Sequence, residues 1–358
     1  MKLGLVTLGD YLPDPHTGEY NESQPERYRM WIEEAVRAEQ LGFASCWFGE
    51  HHFNDYAMSV PQIMLAAVAA QTEHIRLGTA VSLLANQDPV RLAEDFATLD
   101  LISGGRAEIG FGGGISLHTF KHFGQNSDDS NALMTENLEL LQRLWNEDQV
   151  TWSGKFRAPL ENVRIQPRTF SGAAIPIHLA TGISEERARM AGAAGHGLMV
   201  MTILGTYPDY RDVVRVYRES YQQAGHDPAA MRVSAIAYVH LRSDGVDAVE
   251  FWNPYQINYR AFTKRMVEAL GMPVGFKKLV ETVGRTDPNI KRHCDLVGDE
   301  NSVIDGLLAA NEDLGGVDTM LCYFDCGGLA KKDTWMAMDV FGEKVIPKIA
   351  AATGSKTD

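Results

Sequence analysis

Residues 44–80 decide the fold. Ala44-Ser45-Cys46-Trp47-Phe48-Gly49 is a short apolar run, Pro61 to Gln71 is rich in alanine and opens with a proline, and Ile75-Arg76-Leu77-Gly78-Thr79-Ala80 is apolar again. A short apolar run bounded by turn signals fits a fully buried strand, while proline suits the first position of a helix, where the amide has no partner anyway. The stretch therefore reads as strand, helix, strand, the unit that joins parallel neighbours in a sheet. The unit recurs on both sides. Lys2 to Leu8 predicts a strand, followed by a helix from Pro25 to Leu41 that Gly42 stops; the helix Pro89 to Ile102, the strand Ala107 to Phe111 and the helix Ala132 to Trp145 extend the alternation. Strands follow at Pro176 to Ala180, Gly197 to Met201, Val233 to Val239 and Val317 to Phe324, interleaved with helices at Ser184 to Ala193, Tyr207 to Ala224 and Val303 to Leu314. Eight apolar strands alternating with helices predict an α/β fold closed into a TIM (β/α)8 barrel in preference to an open doubly wound sheet.

The 358 residues exceed the roughly 250 of a bare barrel, so insertions are expected within a single domain spanning 1–358. One lies near 150–170, where Thr151-Trp152-Ser153-Gly154-Lys155-Phe156 has hairpin chemistry, and one near 250–295, where aromatics and prolines fit either a lid or a structural excursion. With 47 acidic against 33 basic side chains, the formal charge of -14 repels nucleic acid and anionic membranes. No run approaches the ~20 apolar residues of a membrane span, and the first residues lack a secretory leader, so a cytoplasmic protein is expected. The four cysteines are too few and scattered for a disulfide framework; Cys322 and Cys326 lack a second ligand pair, and no metal site is predicted.

Unusual residues cluster where strands end. Glu50-His51-His52-Phe53 follows the second strand, and paired histidines beside a glutamate could serve as metal ligands, acid/base groups or plain loop polarity. Adjacent residues of an extended segment point to opposite faces, which disfavours a shared metal. Gly78-Thr79-Ala80-Val81 ends the third strand in small residues, compatible with a flat ligand or with packing alone. Gly110-Phe111-Gly112-Gly113-Gly114 ends the fourth but fails the dinucleotide fingerprint, since Ile115 stands where the last glycine belongs, and no P-loop lysine follows. Thr181-Gly182-Ile183-Ser184 opens a helix whose free amides suit a phosphate, or is an ordinary helix start. Scattered loop residues would populate both rims of a barrel; these all fall at the C-terminal one, where barrel active sites lie.

Read together, Phe48-Gly49-Glu50-His51-His52-Phe53, Leu77 to Val81, Asp88-Pro89-Val90-Arg91-Leu92-Ala93-Glu94-Asp95, Leu99 to Arg106 and Arg189-Met190-Ala191-Gly192 resemble the bacterial luciferase-like flavin monooxygenases, as do Gly315 to Asp318 and Phe341 to Pro347 near the end. The resemblance spans essentially the whole chain. It implies a barrel that binds reduced FMN at its C-terminal rim, supplied by a separate reductase, and that uses O2 through a C4a-hydroperoxyflavin to oxygenate a small apolar organic substrate, a carbonyl compound included. It implies that His51 is the acid/base, that Ala80-Val81 is a cis peptide beneath the flavin ring, and that Thr181, Gly182 and Ser184 hold the phosphate. Met201 joins Phe53, Tyr323 and the 250–295 segment in an apolar cover. Gly112, Gly113 and Asn131 fall on the family's flavin-facing positions but replace a reactive cysteine and two phosphate-binding arginines, so a less cationic phosphate site is expected, or another neutralising residue. Phe276 and Lys277 stand near the family's lid tryptophan. A homodimer is implied. Two alternatives remain: an F420-dependent hydride-transfer enzyme, which would consume no oxygen, and a noncatalytic flavin-binding subunit, which would not need His51.

Overall fold

A computed structural model describes residues 1–204, 207–271 and 294–354. Among these residues the strands are β1 (Lys2–Thr7), β2 (Ser45–Phe48), β3 (Arg76–Leu83), β4 (Ala107–Gly112), β5 (Val150–Trp152), β6 (Leu160–Val163), β7 (Ile177–Thr181), β8 (Gly197–Val200), β9 (Val233–Leu241), β10 (Asp295–Gly298) and β11 (Thr319–Tyr323). Eight of them close the predicted barrel in the order β1-β2-β3-β4-β7-β8-β9-β11, all parallel, with Lys2 to Leu5 of β1 paired to Thr319 to Cys322 of β11. These strands are buried almost throughout, because the interior fills with side chains on one face and the helices cover the other.

The N-terminal half of the barrel is plugged by large and charged groups. A methyl placed on Gly78 would come within 2.2 Å of the Trp47 ring, so the missing side chain on β3 is the space that the indole occupies. Trp47 meets His178 edge to face at 5.3 Å, and His178 bonds Glu108 at 3.1 Å while Arg76 pairs with the same carboxylate. Burial alone would push Glu108 up; the His178 interaction and the Arg76 guanidinium more than offset it and hold it at about 2. This plug leaves the opposite rim as the place for a ligand.

Two segments interrupt the alternation. β5 and β6 form an antiparallel pair at 150–163. In 250–295, the helix Ala248–Leu270 runs straight through Pro254. An interior proline removes a hydrogen bond and costs ~3 kcal/mol, and here burial of Trp252, Tyr255, Tyr259 and Phe262 offsets it. The helix is tied down by a buried Arg260–Asp295 ion pair at 3.1 Å. Asp295 begins β10, a strand the sequence reading did not anticipate. β8 pairs with the first part of β9 and β10 with its end, so β10 continues the barrel wall beyond β8. Phe276 and Lys277 lie outside the described residues. No helix among the described residues is long and apolar enough to cross a membrane.

Candidate active site

The C-terminal rim opens into a cavity of about 520 Å3, walled by residues at or just past the ends of β1, β2, β3, β4, β7 and β8. Of the residues singled out in the sequence, His51, Ala80, Val81, Gly112, Gly113, Thr181, Gly182, Ser184 and Met201 line it. Asn131 does not.

At one end, Glu50 is buried and anchors its surroundings: it accepts from the Leu83 amide at 3.1 Å and the Gln87 amide group at 2.8 Å, and it bonds His52 Nε2 at 2.9 Å. That leaves His51 free for the cavity. Its ring stacks on Tyr56 (centroids 3.9 Å apart, 20° between planes), and its Nδ1 is buried without a hydrogen-bond partner. Enclosure pulls His51 down to about 4; the Leu8 backbone opposes this and His52 adds to it. The imidazole is therefore neutral at pH 7 and has a nitrogen able to accept a proton. Tyr56 is held in turn by a 2.6 Å hydroxyl contact with Tyr259 of the Ala248–Leu270 helix, and Met266 of that helix reaches the cavity wall.

The floor is backbone. The Ala80–Val81 peptide is cis, as the resemblance implies. A methyl added at Gly112 would lie 2.6 Å from Val81 Cγ2, and one at Gly113 would lie 3.1 Å from Arg187 Nη2. Both glycines thus keep the wall thin where a flat ligand would lie.

The other end contains what the sequence reading missed. Ser184 caps the helix Glu185–Ala193, accepting from the Arg187 amide at 3.3 Å. The Arg187 side chain folds back over Gly113 and lines the cavity, and it donates to Asn131 Oδ1 at 2.7 Å. Among the described residues it is the one lysine or arginine in the cavity wall, and its partner is a neutral amide. Asn131 accordingly stands behind the cation instead of in the wall. The signal was present: Arg187 lies three residues past Ser184, but it reads as an ordinary first helical turn until the bare backbone of Gly113 is seen beneath it. This end of the cavity thus has a cation that neither Gly113 nor Asn131 supplies.

The apolar cover differs from expectation at two positions. Tyr323 is fully buried beneath the rim, its hydroxyl bonded to Asp10, because the barrel end at β9 and β11 is filled by Tyr238, Tyr259 and Tyr323 packed together. Phe53 is half exposed beside the mouth, against His122 and Phe123. Among the described residues, no group of three or more histidine, cysteine or acidic side chains is placed to hold a metal ion.

The sequence model of the luciferase-like monooxygenases matches residues 1–316. The chain belongs to this family. Among its luciferase-like relatives, the alkanal monooxygenase alpha chain of Photorhabdus luminescens is 24% identical over 340 residues, covering 91% of this chain and 92% of its own. The solved structure of the monooxygenase RslO1 from Streptomyces bottropensis is 26% identical with a TM-score of 0.82, over 97% and 99% of the two chains. The same fold, at 21% identity and a TM-score of 0.75 over 98% and 99%, is that of the oxygenating component of a 3,6-diketocamphane monooxygenase from Pseudomonas putida, a type II Baeyer-Villiger enzyme solved with FMN. An F420-dependent secondary alcohol dehydrogenase shares the fold too, at 17% identity and a TM-score of 0.73 over 98% and 99%. A luciferase-like barrel is therefore the frame for this cavity at its C-terminal rim.

Proposed function

We propose that this luciferase-like protein is the oxygenating component of a two-component monooxygenase, taking reduced FMN from a separate reductase and using O2 to oxygenate a small apolar organic substrate, with ketones and aldehydes the first to test. The observation that carries the reading is the polarity of the cavity: one cation, Arg187, at one end, a neutral enclosed imidazole, His51, at the other, and backbone with aliphatic side chains between them. The residues fit a phosphorylated flavin. Gly112 and Gly113 leave room for a planar ring against the wall, while Arg187, Thr181 and Ser184 would hold a phosphate, aided by the first amides of the helix that Ser184 caps.

Reduced flavin, when bound, supplies the electrons that activate dioxygen. The chain supplies the setting. Leu8, Val81, Leu83, Met201 and Met266 give a water-poor wall, which strengthens electrostatic interactions within it and suppresses side reactions with solvent. His51, neutral at pH 7, accepts a proton on its imidazole and returns it later, while the Tyr56 stack fixes the plane of the ring. A cytoplasmic homodimer accompanies this reading.

Anaerobic titration with photoreduced FMN, followed by rapid mixing with oxygenated buffer under continuous spectral recording, tests it. Saturable binding and a transient species that delays oxidised flavin and hydrogen peroxide are expected. Binding of F420 alone, or flavin oxidation at the rate of free flavin, would overturn it.

A further inference from the structure

Most hydrogen-bonding side chains in the cavity wall are already engaged within the protein. Glu50 bonds His52, Asn54 spans the His52 carbonyl and the Tyr56 amide, Thr181 donates to the Ser184 carbonyl, and Arg187 donates to Asn131. Thr119 stands apart. It lines the cavity and is only 3% exposed, yet among the described residues its hydroxyl neither donates nor accepts. The chain shows why. Helical threonines elsewhere return the hydroxyl to the carbonyl four residues back, as Thr98 does to Glu94, Thr135 to Asn131 and Thr263 to Tyr259. Thr119 is the third residue of the helix Leu117–His122, and four residues back is Ile115, which lies before the Ser116 cap. Its amide is taken by Ser116 Oγ at 3.1 Å, so the uncommitted group is the hydroxyl and not the helix end. A buried hydroxyl without a protein partner needs one from elsewhere, and the cavity is the space it borders.

This helix lies beside the loop that carries His51. His52 meets Phe123 edge to face at 4.9 Å, and Phe53 lies 5.0 Å from His122. Leu117 donates to the Gly271 carbonyl at 3.1 Å, just past the helix that brings Met266 into the wall. We infer that Thr119 is the substrate-orienting donor of this site, its hydroxyl bonding the oxygen of a carbonyl substrate whose remaining surface is apolar. The inference rests on the flavin site proposed above. The floor belongs to the strand ends at Ala80, Val81 and Gly112, so a ring lying there leaves the helical side, with Thr119 and Met266, to the substrate. The hydroxyl then discriminates by bonding. A ketone or aldehyde satisfies it, whereas a hydrocarbon of the same shape displaces water from it and leaves it unpaired. Donation to the oxygen also fixes the carbonyl carbon in place and makes it a better target for a nucleophile.

The test compares the wild type with Thr119→Val, which keeps the shape and loses the hydroxyl, and Thr119→Ser, which keeps the hydroxyl. Each is loaded anaerobically with reduced FMN, so that no turnover occurs. The probes are cyclohexanone and decanal, each beside the isostere in which CH2 replaces the oxygen, methylenecyclohexane and 1-undecene. NMR titration gives the affinities, and infrared difference spectra of the carbonyl-13C probes give the C=O stretch. The wild type should bind at least one carbonyl probe about threefold to tenfold more tightly than its isostere, with the stretch moved to lower frequency. Thr119→Val should abolish both effects and Thr119→Ser retain them, while FMN affinity changes less than twofold. An unchanged preference and stretch in Thr119→Val would take the hydroxyl off the substrate and overturn the inference. A loss of FMN affinity in Thr119→Val that Thr119→Ser restores would give the hydroxyl to the flavin instead. No preference for either carbonyl in the wild type would overturn the substrate class while leaving the flavin site standing. Failure of the wild type to bind reduced FMN would overturn the flavin site and the inference together.

Discussion

At the scale of single residues, His51 is the most informative side chain, because its neighbours divide the work around it. Glu50 is occupied with Leu83, Gln87 and His52, so His51 is left with a stacking partner and an unpartnered nitrogen. Replacing His51 with alanine should lower turnover by ~10²- to 10⁴-fold, the usual worth of general acid/base help, while reduced-FMN affinity changes less than threefold; unchanged turnover in stopped-flow assays would remove it from the chemistry. Tyr56 acts through His51. Tyr56→Phe keeps the ring and should leave the imidazole titrating near 4, whereas Tyr56→Leu opens the stack to water and should move the titration toward 6.5, as followed by NMR of the imidazole carbons. His51 and the glycines were legible in the sequence because they sit at strand ends, where position alone argues for function. Arg187 was not, because its role depends on two distant partners: an absent side chain at Gly113 and an amide at Asn131.

At the scale of elements, the eight barrel strands were readable because each is a continuous apolar run, and such runs make sense only when both faces are covered. β10 was hidden: four residues long, it starts at the last residue of a segment whose aromatics and prolines suggested a lid or a structural excursion. The helix Ala248–Leu270 was hidden by Pro254, since local propensity opposes it and only tertiary burial of its aromatic face decides otherwise. At the end of β4, the bare backbone of Gly113 is what lets Arg187 lie along the cavity wall. Gly113→Ala should push Arg187 aside and weaken FMN binding several-fold while barely affecting riboflavin; an equal loss for both would place the defect in the flavin-ring wall instead.

For the molecule as a whole, buried titratable groups set the response to acid. Burial holds His240 at about 3 and His196 at about 4, against ~6.5 when unfolded. Between these values the unfolded chain binds protons that the folded chain refuses, so this stability is complete above about pH 6.5 and is lost as pH falls. Asp10, pushed up to about 6 by burial and by Asp325, has the opposite sign, its contribution fading as pH rises through 6; Glu34, also raised by burial, acts in the same sense. The two sets of groups slope in opposite directions, so single variants are needed to isolate one group. His240 is fully buried with both ring nitrogens unpartnered. His240→Leu should gain on the wild type by ~1.4 kcal/mol per pH unit on going from pH 6.5 to 4.5, measured by urea unfolding at each pH; a pH-independent difference would mean that His240 is protonated in the fold. Glu108, held at about 2, gives a later loss: its contribution is present above about pH 4.3 and disappears as pH falls through 2.

The helix Ala248–Leu270 places Met266 in the cavity wall and Tyr259 against Tyr56, so one helix touches both the cavity and the ring that stacks on His51. Substitutions at the two positions should be epistatic: a change at Met266 that reshapes the wall tilts the helix and disturbs the imidazole, and a compensating change at Tyr259 restores it. Libraries that vary Met266 alone will sample few new specificities without losing rate, whereas paired libraries of Met266 and Tyr259 open evolutionary routes that neither single position offers.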